Sequence, residues 1–265
     1  MRYVFDNDLH IHSFLSLCSK DEKQNPESIL QYAIDNGLKT IALTNHYWDS
    51  AVDGASGFYS VQNFDWISRS KPLPQTEGIR FLFGCETDMD KNNRLGMPKS
   101  RFDDFDFVVI PTTHLHMKGF TITEQDASTP EGRARVWIER FESVLGMDIP
   151  FKKVGFAHLA CPLIAPDRSV YLKVLELLPE DKLRTMFTKC AQLGAGIELN
   201  SSDMSFPEDE AETVLRIFRI AKECGCKFYL GSDAHHPKGL TEAKDIFERA
   251  IDLLGLTEDD KFELI

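Results

Sequence analysis

The sequence lacks the features that mark several classes of protein. No apolar run approaches the roughly 18 residues that a membrane-spanning helix needs, and the first residues do not form a basic-then-apolar signal peptide. The chain contains no internal repeat, no low-complexity tract and no linker rich in proline or serine. These absences argue against a membrane, repeat or disordered protein, and they predict a cytoplasmic protein that folds as one domain over residues 1–265.

Cysteine and positive charge are also scarce. Six cysteines are scattered over 265 residues without a C-x-x-C pair, which favours reduced thiols over a disulfide framework. The 30 basic residues face 42 acidic ones, so the net charge is −12. Binding to nucleic acid or to an anionic membrane needs a cationic surface. The composition therefore argues against both partners.

Short apolar runs alternate with helical patterns along the chain. The predicted strands are Tyr3–Phe5, Thr40–Leu43, Ile79–Phe83, Phe105–Ile110, Val154–Phe156, Gly196–Leu199 and Lys227–Leu230. Helical patterns begin at Pro26, Pro130, Glu180, Glu208 and Thr241, and four of the five end at a glycine. This alternation predicts an α/β fold, a seven-stranded relative of the (β/α)₈ barrel. The alternative, an open doubly wound sheet, usually has a glycine-rich loop after its first strand, and here no glycine follows.

All eight histidines follow a predicted strand within a few residues. They are His10, His12, His46, His114, His116, His158, His235 and His236, and the same strand ends carry Glu86, Glu198, Asn200 and Asp233. The carboxyl ends of parallel strands in a barrel meet at one face. Imidazoles and carboxylates collected there are ligands for Zn, Mn or Fe. The sequence thus predicts a metal site with more than one ion.

The spacing of two pairs supports this hypothesis. Residues i and i+2 of a strand point to the same face, so His10 and His12 can reach one ion. Asp233 and His235 repeat that spacing on the last strand. On the same argument, Asp8 shares the face of His10 and is expected to orient a ligand from behind.

The motifs resemble the PHP family, named for polymerase and histidinol phosphatase. The resemblance rests on Asp8-Leu9-His10-Ile11-His12-Ser13, Thr44-Asn45-His46, Gly84-Cys85-Glu86, His158, Ile197-Glu198-Leu199-Asn200-Ser201-Ser202 and Gly231-Ser232-Asp233-Ala234-His235. It implies a distorted seven-stranded (β/α)₇ TIM-like barrel, with the metal site at the carboxyl ends of the strands. It also implies metal-dependent phosphoesterase activity.

Carried over residue by residue, the resemblance implies two or three divalent ions (Zn, Mn or Fe). His10, His12, Glu86 and Asp233 would hold the first; Glu86, His114 and His158 the second; and His46 and His235 the third. Some members place a histidine in the loop after the first motif, where this chain has Cys18, with Asp21 nearby. Asn45 replaces the usual carboxylate before His46. Cys18 is therefore the expected remaining ligand of the third ion.

The resemblance further implies hydrolysis of a phosphate monoester of a small organic molecule, as in histidinol phosphatase. Metal-activated hydroxide would attack phosphorus, and cationic side chains would share the charge that develops on the phosphoryl oxygens. Arg168, expected in a loop after His158, is the first candidate for a phosphate contact, ahead of Lys118 and Arg133. His116 or His236 would protonate the leaving alkoxide.

Several alternatives remain open at this point. A phosphodiesterase or nuclease of the same family would use the same metals. It would be expected to have a track of basic residues, which this sequence lacks. A metal-dependent amidohydrolase also begins with H-x-H, yet it usually has a modified lysine where this chain has Pro111-Thr112-Thr113-His114. A metal-binding domain without catalytic activity is a third reading, and the nearly complete ligand set argues against it.

Overall fold

Eight strands, two of which share one position, form a nearly closed seven-stranded parallel barrel in the computed structural model, which describes residues 1–264. In chain order the strands are β1 (Asn7–Ile11), β2 (Thr40–Leu43), β3 (His46–Tyr47), β4 (Arg80–Thr87), β5 (Phe107–Pro111), β6 (Val154–Ala157), β7 (Gly196–Asn200) and β8 (Lys227–Gly231). Around the barrel they run β1-β2-β4-β5-β6-β7-β8, and the short β3 pairs with β4. The predicted distorted (β/α)₇ barrel is confirmed.

Helices cover the outside of the barrel. They are α1 (Pro26–Asn36), α2 (Phe64–Ile67), α3 (Pro130–Leu145), α4 (Arg168–Leu177), α5 (Glu180–Leu193), α6 (Ala211–Glu223) and α7 (Pro237–Leu254). Asn25 and Thr129 cap the first turns of α1 and α3 with their side chains, each followed by proline. Within residues 1–264, no helix is both long enough and apolar enough to cross a bilayer.

Strands β2 and β3 act as one interrupted strand. Both pair with β4, β2 along its first half and β3 along its second, so that His46 lies opposite Glu86. At the break, the Asn45 Oδ1 atom accepts hydrogen bonds from Ser13 N at 2.8 Å and from Ser16 Oγ at 3.0 Å. The amide in place of a carboxylate thereby holds the loop that follows β1.

Side chains help to close the barrel between β1 and β8. Asn7 Oδ1 accepts from Leu230 N at 3.1 Å, and Asp8 Oδ1 accepts from Ser232 N at 2.9 Å. Near the carboxyl ends of the same two strands, Asp233 N donates to the main-chain oxygen of His10 at 2.7 Å. The polar start of β1 is thus explained, because its side chains replace part of the main-chain ladder.

An apolar layer fills the lower barrel. It consists of Leu9, Ala42, Leu82, Phe107, Val109, Ala157, Tyr229 and Phe262. Phe262 comes from the C-terminal segment, where its N–H donates to Phe228 O at 2.8 Å. Because Glu86 and Glu198 have the same strand parity as Leu82 and Gly196, they point inward above this layer. The interior therefore places an apolar layer directly beneath a polar site.

Three local predictions were wrong. Tyr3–Phe5 is not a strand: β1 begins at Asn7, and the buried Tyr3 instead donates from its hydroxyl to Phe228 O at 3.0 Å. Arg168 is not in a loop but begins α4, which Asp167 caps. The last helix begins at Pro237 rather than near Thr241, because His236 caps it.

Candidate metal centre

The carboxyl ends of the strands bring most of the predicted ligands together in one buried cluster. His10, His12, His46, Glu86, His114 and His158 are all buried, and Asp233 and His235 are partly buried at its rim. The convergence expected from a parallel barrel is therefore present.

Glu86 lies at the middle of the cluster and its two oxygens face opposite sides. Oε2 is 2.6 Å from His46 Nδ1, 3.4 Å from His12 Nε2 and 3.7 Å from His10 Nε2. Oε1 is 3.2 Å from His158 Nε2 and 3.8 Å from His114 Nε2. Burial would raise the pKa of Glu86, but His46 and His10 hold it well below its ordinary value. An ionised carboxylate between two sets of imidazoles has the geometry of a bridging ligand.

Asp233 faces the first of these sets. Its Oδ1 atom is 3.0 Å from His12 Nε2 and 3.4 Å from His10 Nε2. Burial would raise the pKa of Asp233, and the neighbouring imidazoles, His10 foremost, lower it further than burial raises it. Asp233 has φ 51° and His158 has φ 35°, which is strained for residues other than glycine. Two candidate ligands are thus held in position at a conformational cost.

The donor atoms fall into three groups, and within each group all atoms lie within 4.8 Å of one another. They are His10, His12 and Glu86; Glu86, His114 and His158; and His12, His46 and His235. The first two correspond to the expected first and second ion sites. The third uses His12 beside His46 and His235, and Cys18 does not belong to it.

Cys18 lies at the edge of the pocket above the cluster. Cys18 is exposed, and its thiol belongs to none of the three groups of donor atoms. The geometry gives Cys18 no role in the third group.

Glu198 connects the ligands of two strands from inside the barrel. Its Oε1 atom is 2.7 Å from His10 Nδ1, and its Oε2 atom accepts from His158 N at 2.7 Å. A Cβ atom on Gly231 would lie 1.8 Å from Glu198 Oε1, so only glycine fits beside it. The role expected of Asp8 therefore belongs to Glu198. The strand irregularity between Asp8 and Ile11 turns Asp8 outward, where Tyr32 Oη donates to it at 3.2 Å.

Asp88 does the same for the second set of ligands, and it was not among the residues predicted from the sequence. Its Oδ2 atom is 2.9 Å from His114 Nδ1, and Arg140 Nη2 donates to Oδ1 at 2.6 Å. Burial would raise the pKa of Asp88, but His114 and Arg140 lower it. The signal was available, since Asp88 directly follows β4 and is two residues after Glu86, the same i, i+2 spacing.

Unpartnered buried atoms fit the binding of metal ions. Glu86 Oε2 and His46 Nδ1 are buried and, among the described residues, make no hydrogen bond with suitable geometry. Buried polar atoms are normally paired, and a cation in contact with both atoms would satisfy them. The donors are imidazole nitrogens and carboxylate oxygens, a set that suits Zn, Mn or Fe.

The predicted catalytic side chains are not all near this cluster. His116 lines the pocket, and burial together with the neighbouring His114 lowers its pKa to about 4, so it is neutral at pH 7. His236 is exposed, caps α7 and lies 2.9 Å from Asp21. Arg168 pairs with Glu210 and stacks on Tyr171, with 4.5 Å from its guanidinium to the ring.

The two weaker candidates do not line the pocket either. Lys118 is exposed on the loop after β5. Arg133 is buried and donates to the main-chain oxygens of Leu115 at 2.8 Å and Ile164 at 2.6 Å. Among residues 1–264, no lysine or arginine lines this pocket. The expected phosphate contact from Arg168 is therefore not present in this arrangement.

Two solved structures resemble this chain over most of its length. A histidinol phosphate phosphatase from Lactococcus lactis, solved with zinc, L-histidinol and phosphate, shares 19% identity at a TM-score of 0.65, over 92% of this chain and 93% of that one. A probable 2-pyrone-4,6-dicarboxylic acid hydrolase from Acinetobacter baumannii shares 13% identity at a TM-score of 0.43, over 97% of each chain. Among curated proteins, none matches by sequence.

The family comparison covers most of the chain. The profile of the PHP domain family matches residues 8–202, which include every proposed ligand except Asp233 and His235. The structure supplies these two from the loop that follows β8. The chain therefore belongs to the PHP domain family, the metal-dependent hydrolases that its strand-end motifs predicted.

Proposed function

We propose that the protein hydrolyses phosphate monoesters of small organic molecules. The observation that carries this proposal is Glu86, whose two oxygens face separate groups of imidazoles at the floor of one pocket. Paired metal sites that share a carboxylate are typical of enzymes that displace groups at phosphorus. The similarity in fold to a phosphatase that binds L-histidinol and phosphate supports the same reading.

The proposed ligands divide into three sites. His10, His12, Glu86 and Asp233 would hold one ion; Glu86, His114 and His158 a second; and His12, His46 and His235 a third. Bound divalent metals would stabilise charge on the phosphoryl oxygens and lower the pKa of a water molecule. We propose that two ions bind and that the third site, which has no carboxylate and shares His12 with the first site, binds more weakly.

The chain's own residues have three further tasks in this proposal. Glu198 and Asp88 fix the orientation of His10 and His114 through their Nδ1 atoms. His116 lies on the pocket wall and would give a proton to the leaving oxygen. The loops after β3 and β6 exclude water around the ester. We also propose that residues 1–265 form a single catalytic domain.

A small monoester fits the pocket better than a polymer does. The pocket has a volume of about 460 Å³, within the roughly 300–1,000 Å³ of small-molecule sites. No lysine or arginine of the described chain lines it, and the net charge is −12. A nucleic-acid substrate would need cationic contacts along its backbone.

Hydrolysis of p-nitrophenyl phosphate and bis-p-nitrophenyl phosphate, with added Mn or Zn and with a chelator, tests the proposal. We expect cleavage that the chelator abolishes and that favours the monoester. Preference for the diester would replace the proposal with a phosphodiesterase or nuclease. If metal-loaded protein cleaved neither ester but hydrolysed amide or lactone bonds, it would be an amidohydrolase.

A further inference from the structure

The pocket above the proposed metal sites has a polar floor and an apolar wall. The floor consists of His46, Glu86, His114, Asp233 and His235. The wall is apolar at Phe58, Tyr59, Met117 and Leu163, and His116 and Cys18 complete it. The floor accounts for a phosphoryl group. The wall remains for the organic part of the ester, so its chemistry indicates which substrates fit.

One side of the wall is rigidly supported. The Phe58 ring packs edge-on against Tyr59 at 5.1 Å and against His46 at 5.3 Å. Tyr59 Oη donates to Asp88 Oδ2 at 3.1 Å, so its hydroxyl is already engaged and its ring forms the surface. Phe120 packs behind Tyr59 at 5.7 Å. This side therefore presents fixed aromatic carbon beside the floor.

The other side carries an uncovered leucine. Leu163 is 38% exposed, although large apolar side chains are usually buried. Its segment is anchored, because Arg133 donates to Ile164 O and also to Leu115 O in the loop that carries Met117. The same buried guanidinium thus fixes both apolar parts of this side.

The wall offers no carboxylate that could pair with an ammonium group of the substrate. Across residues 1–264, the carboxylates that line the pocket are Glu86 and Asp233. Both already face imidazoles: Glu86 Oε2 lies 2.6 Å from His46 Nδ1 and 3.4 Å from His12 Nε2, and Asp233 Oδ1 lies 3.0 Å from His12 Nε2. Asp21 lines an adjoining surface depression, where it pairs with His236. An ammonium group held against this wall would lose water without gaining a counter-charge, which is unfavourable.

We propose that the substrates are phosphate monoesters whose organic part is apolar or aromatic and uncharged, held between Phe58 and Leu163. This inference rests on the proposed function. In the reaction, water and R–O–PO₃²⁻ give R–OH and HPO₄²⁻: the bond from phosphorus to the ester oxygen breaks, a bond from phosphorus to the water oxygen forms, and one water proton passes to the leaving oxygen. Phe58 and Leu163 determine specificity and take no part in bond cleavage.

A matched pair of substrates tests the inference. Histidinol phosphate and its deamino analogue, 3-(imidazol-4-yl)propyl phosphate, differ only in the ammonium group. With Mn- or Zn-loaded protein, we expect kcat/KM to be at least about tenfold higher for the deamino analogue. Calorimetry should show the same order for two inert ligands, with 3-phenylpropylphosphonate binding more tightly than 3-aminopropylphosphonate.

Three variants connect that preference to the wall. Phe58→Ala and Leu163→Ala should each lower the kcat/KM ratio of 3-phenylpropyl phosphate to 2-hydroxyethyl phosphate by about tenfold. Leu163→Glu should shift the preference toward histidinol phosphate. Leu253→Ala, which removes a leucine 42% exposed on α7, is the matched control and should leave the ratio unchanged.

The outcomes separate this inference from the proposed function. Faster hydrolysis of histidinol phosphate than of its deamino analogue would overturn the inference and leave the phosphatase proposal standing. If Asp21→Asn then removed that preference, Asp21 would be the ammonium partner. If no monoester were cleaved in a chelator-sensitive manner, both proposals would fail together.

Discussion

His116 and His236 differ in what surrounds them, and this decides which one can serve the leaving group. His116 lines the pocket, whereas His236 accepts a hydrogen bond from Lys238 N at 3.1 Å as the cap of α7. A general acid must lie within hydrogen-bond reach of the oxygen that it protonates. The structure therefore favours His116, although its low pKa leaves little of it protonated at pH 7.

We expect His116→Ala to lower kcat/KM for an alkyl phosphate by about tenfold, below the roughly 10²–10⁴ of an optimally tuned acid. The loss for p-nitrophenyl phosphate should be much smaller, because p-nitrophenolate leaves without a proton. Steady-state kinetics on both esters measure the difference, with His236→Ala as the control. Equal losses on the two esters would show that His116 has another role.

Asp203 is a fully buried carboxyl group that the proposed reaction does not use. Its Oδ2 atom accepts from Ala160 N at 3.0 Å, and its Oδ1 atom has no partner among the described residues. Burial raises its pKa from 3.8 to about 8. The folded state therefore keeps a proton that the unfolded chain releases near pH 4.

This difference makes the free energy of unfolding depend on pH. Between about pH 4 and pH 8 the folded state binds more protons, so the free energy of unfolding falls as the pH rises. In chelator-treated protein, we expect Asp203→Asn to reduce the fall between pH 5 and pH 8 by a few kcal/mol, at about 1.4 kcal/mol per pH unit. Urea unfolding at several pH values measures this. The exposed Asp209→Asn is the control, and parallel curves for wild type and Asp203→Asn would contradict the assignment.

At the scale of the strands, β7 holds β1 and β6 together through one side chain. One oxygen of Glu198 is hydrogen-bonded to His10 Nδ1, and the other accepts from the main-chain N–H of His158. Gln at this position keeps the shape but has only one oxygen, so one of the two contacts is lost. The two contacted residues are proposed ligands of different ions.

We expect Glu198→Gln to weaken metal affinity by about 10–100-fold, the usual effect of removing a group that orients a ligand. Titration of metal-free protein with Zn against a competing chelator measures it. Glu212→Gln, an exposed change on α6, serves as the control. Unchanged affinity in Glu198→Gln, with unchanged unfolding by urea, would show that β7 does not organise the site.

The elements that could be predicted from the sequence are those with a strong local signal. Pro26 and Pro130 at helix starts, and Gly37 and Gly194 at helix ends, predicted the boundaries of three helices. The histidines predicted the strand ends, because parallel strands must present those ends on one face. The barrel followed from the same rule, whereas the grouping of the ligands was implied by the resemblance to the PHP family.

The elements that were missed depend on contacts between distant residues. Strand β1 begins with Asn7 and Asp8, poor strand formers whose oxygens are used only because β8 lies beside them. The outward turn of Asp8 comes from an irregular pairing with β2 that no residue pattern reveals. Arg168 pairs with Glu210, which is close in space but 42 residues away in the sequence. Spacing along the chain contains no information about such pairs.

At the scale of the whole molecule, the barrel carries a buried set of charges above the apolar layer of its lower half. Glu86, Glu198 and Asp88 are each at most 1% exposed, and the apolar layer with Tyr229 and Phe262 closes the barrel beneath them. In the absence of metal, buried carboxylates and crowded imidazoles are costly even when partly paired. The folded protein should therefore depend on metal for part of its stability.

We expect added Zn or Mn to raise the melting temperature of chelator-treated protein, because the ions bind the folded arrangement of ligands. A single site at about 100 times its Kd contributes roughly 2.7 kcal/mol, which for a chain of this size corresponds to a shift of several degrees. Differential scanning calorimetry at fixed protein and rising metal concentration measures it. If residues 1–265 form one domain, the heat absorption stays a single peak throughout.

Glu86→Gln provides the decisive comparison. The substitution removes the charge that faces both groups of imidazoles but keeps the side-chain volume, so the metal-dependent rise should fall to less than half of the wild-type shift. Metal content after dialysis should fall in parallel, as measured by mass spectrometry. If Glu86→Gln kept both the full shift and the full metal content, the two groups would bind their ions independently and Glu86 would not be the bridge between them.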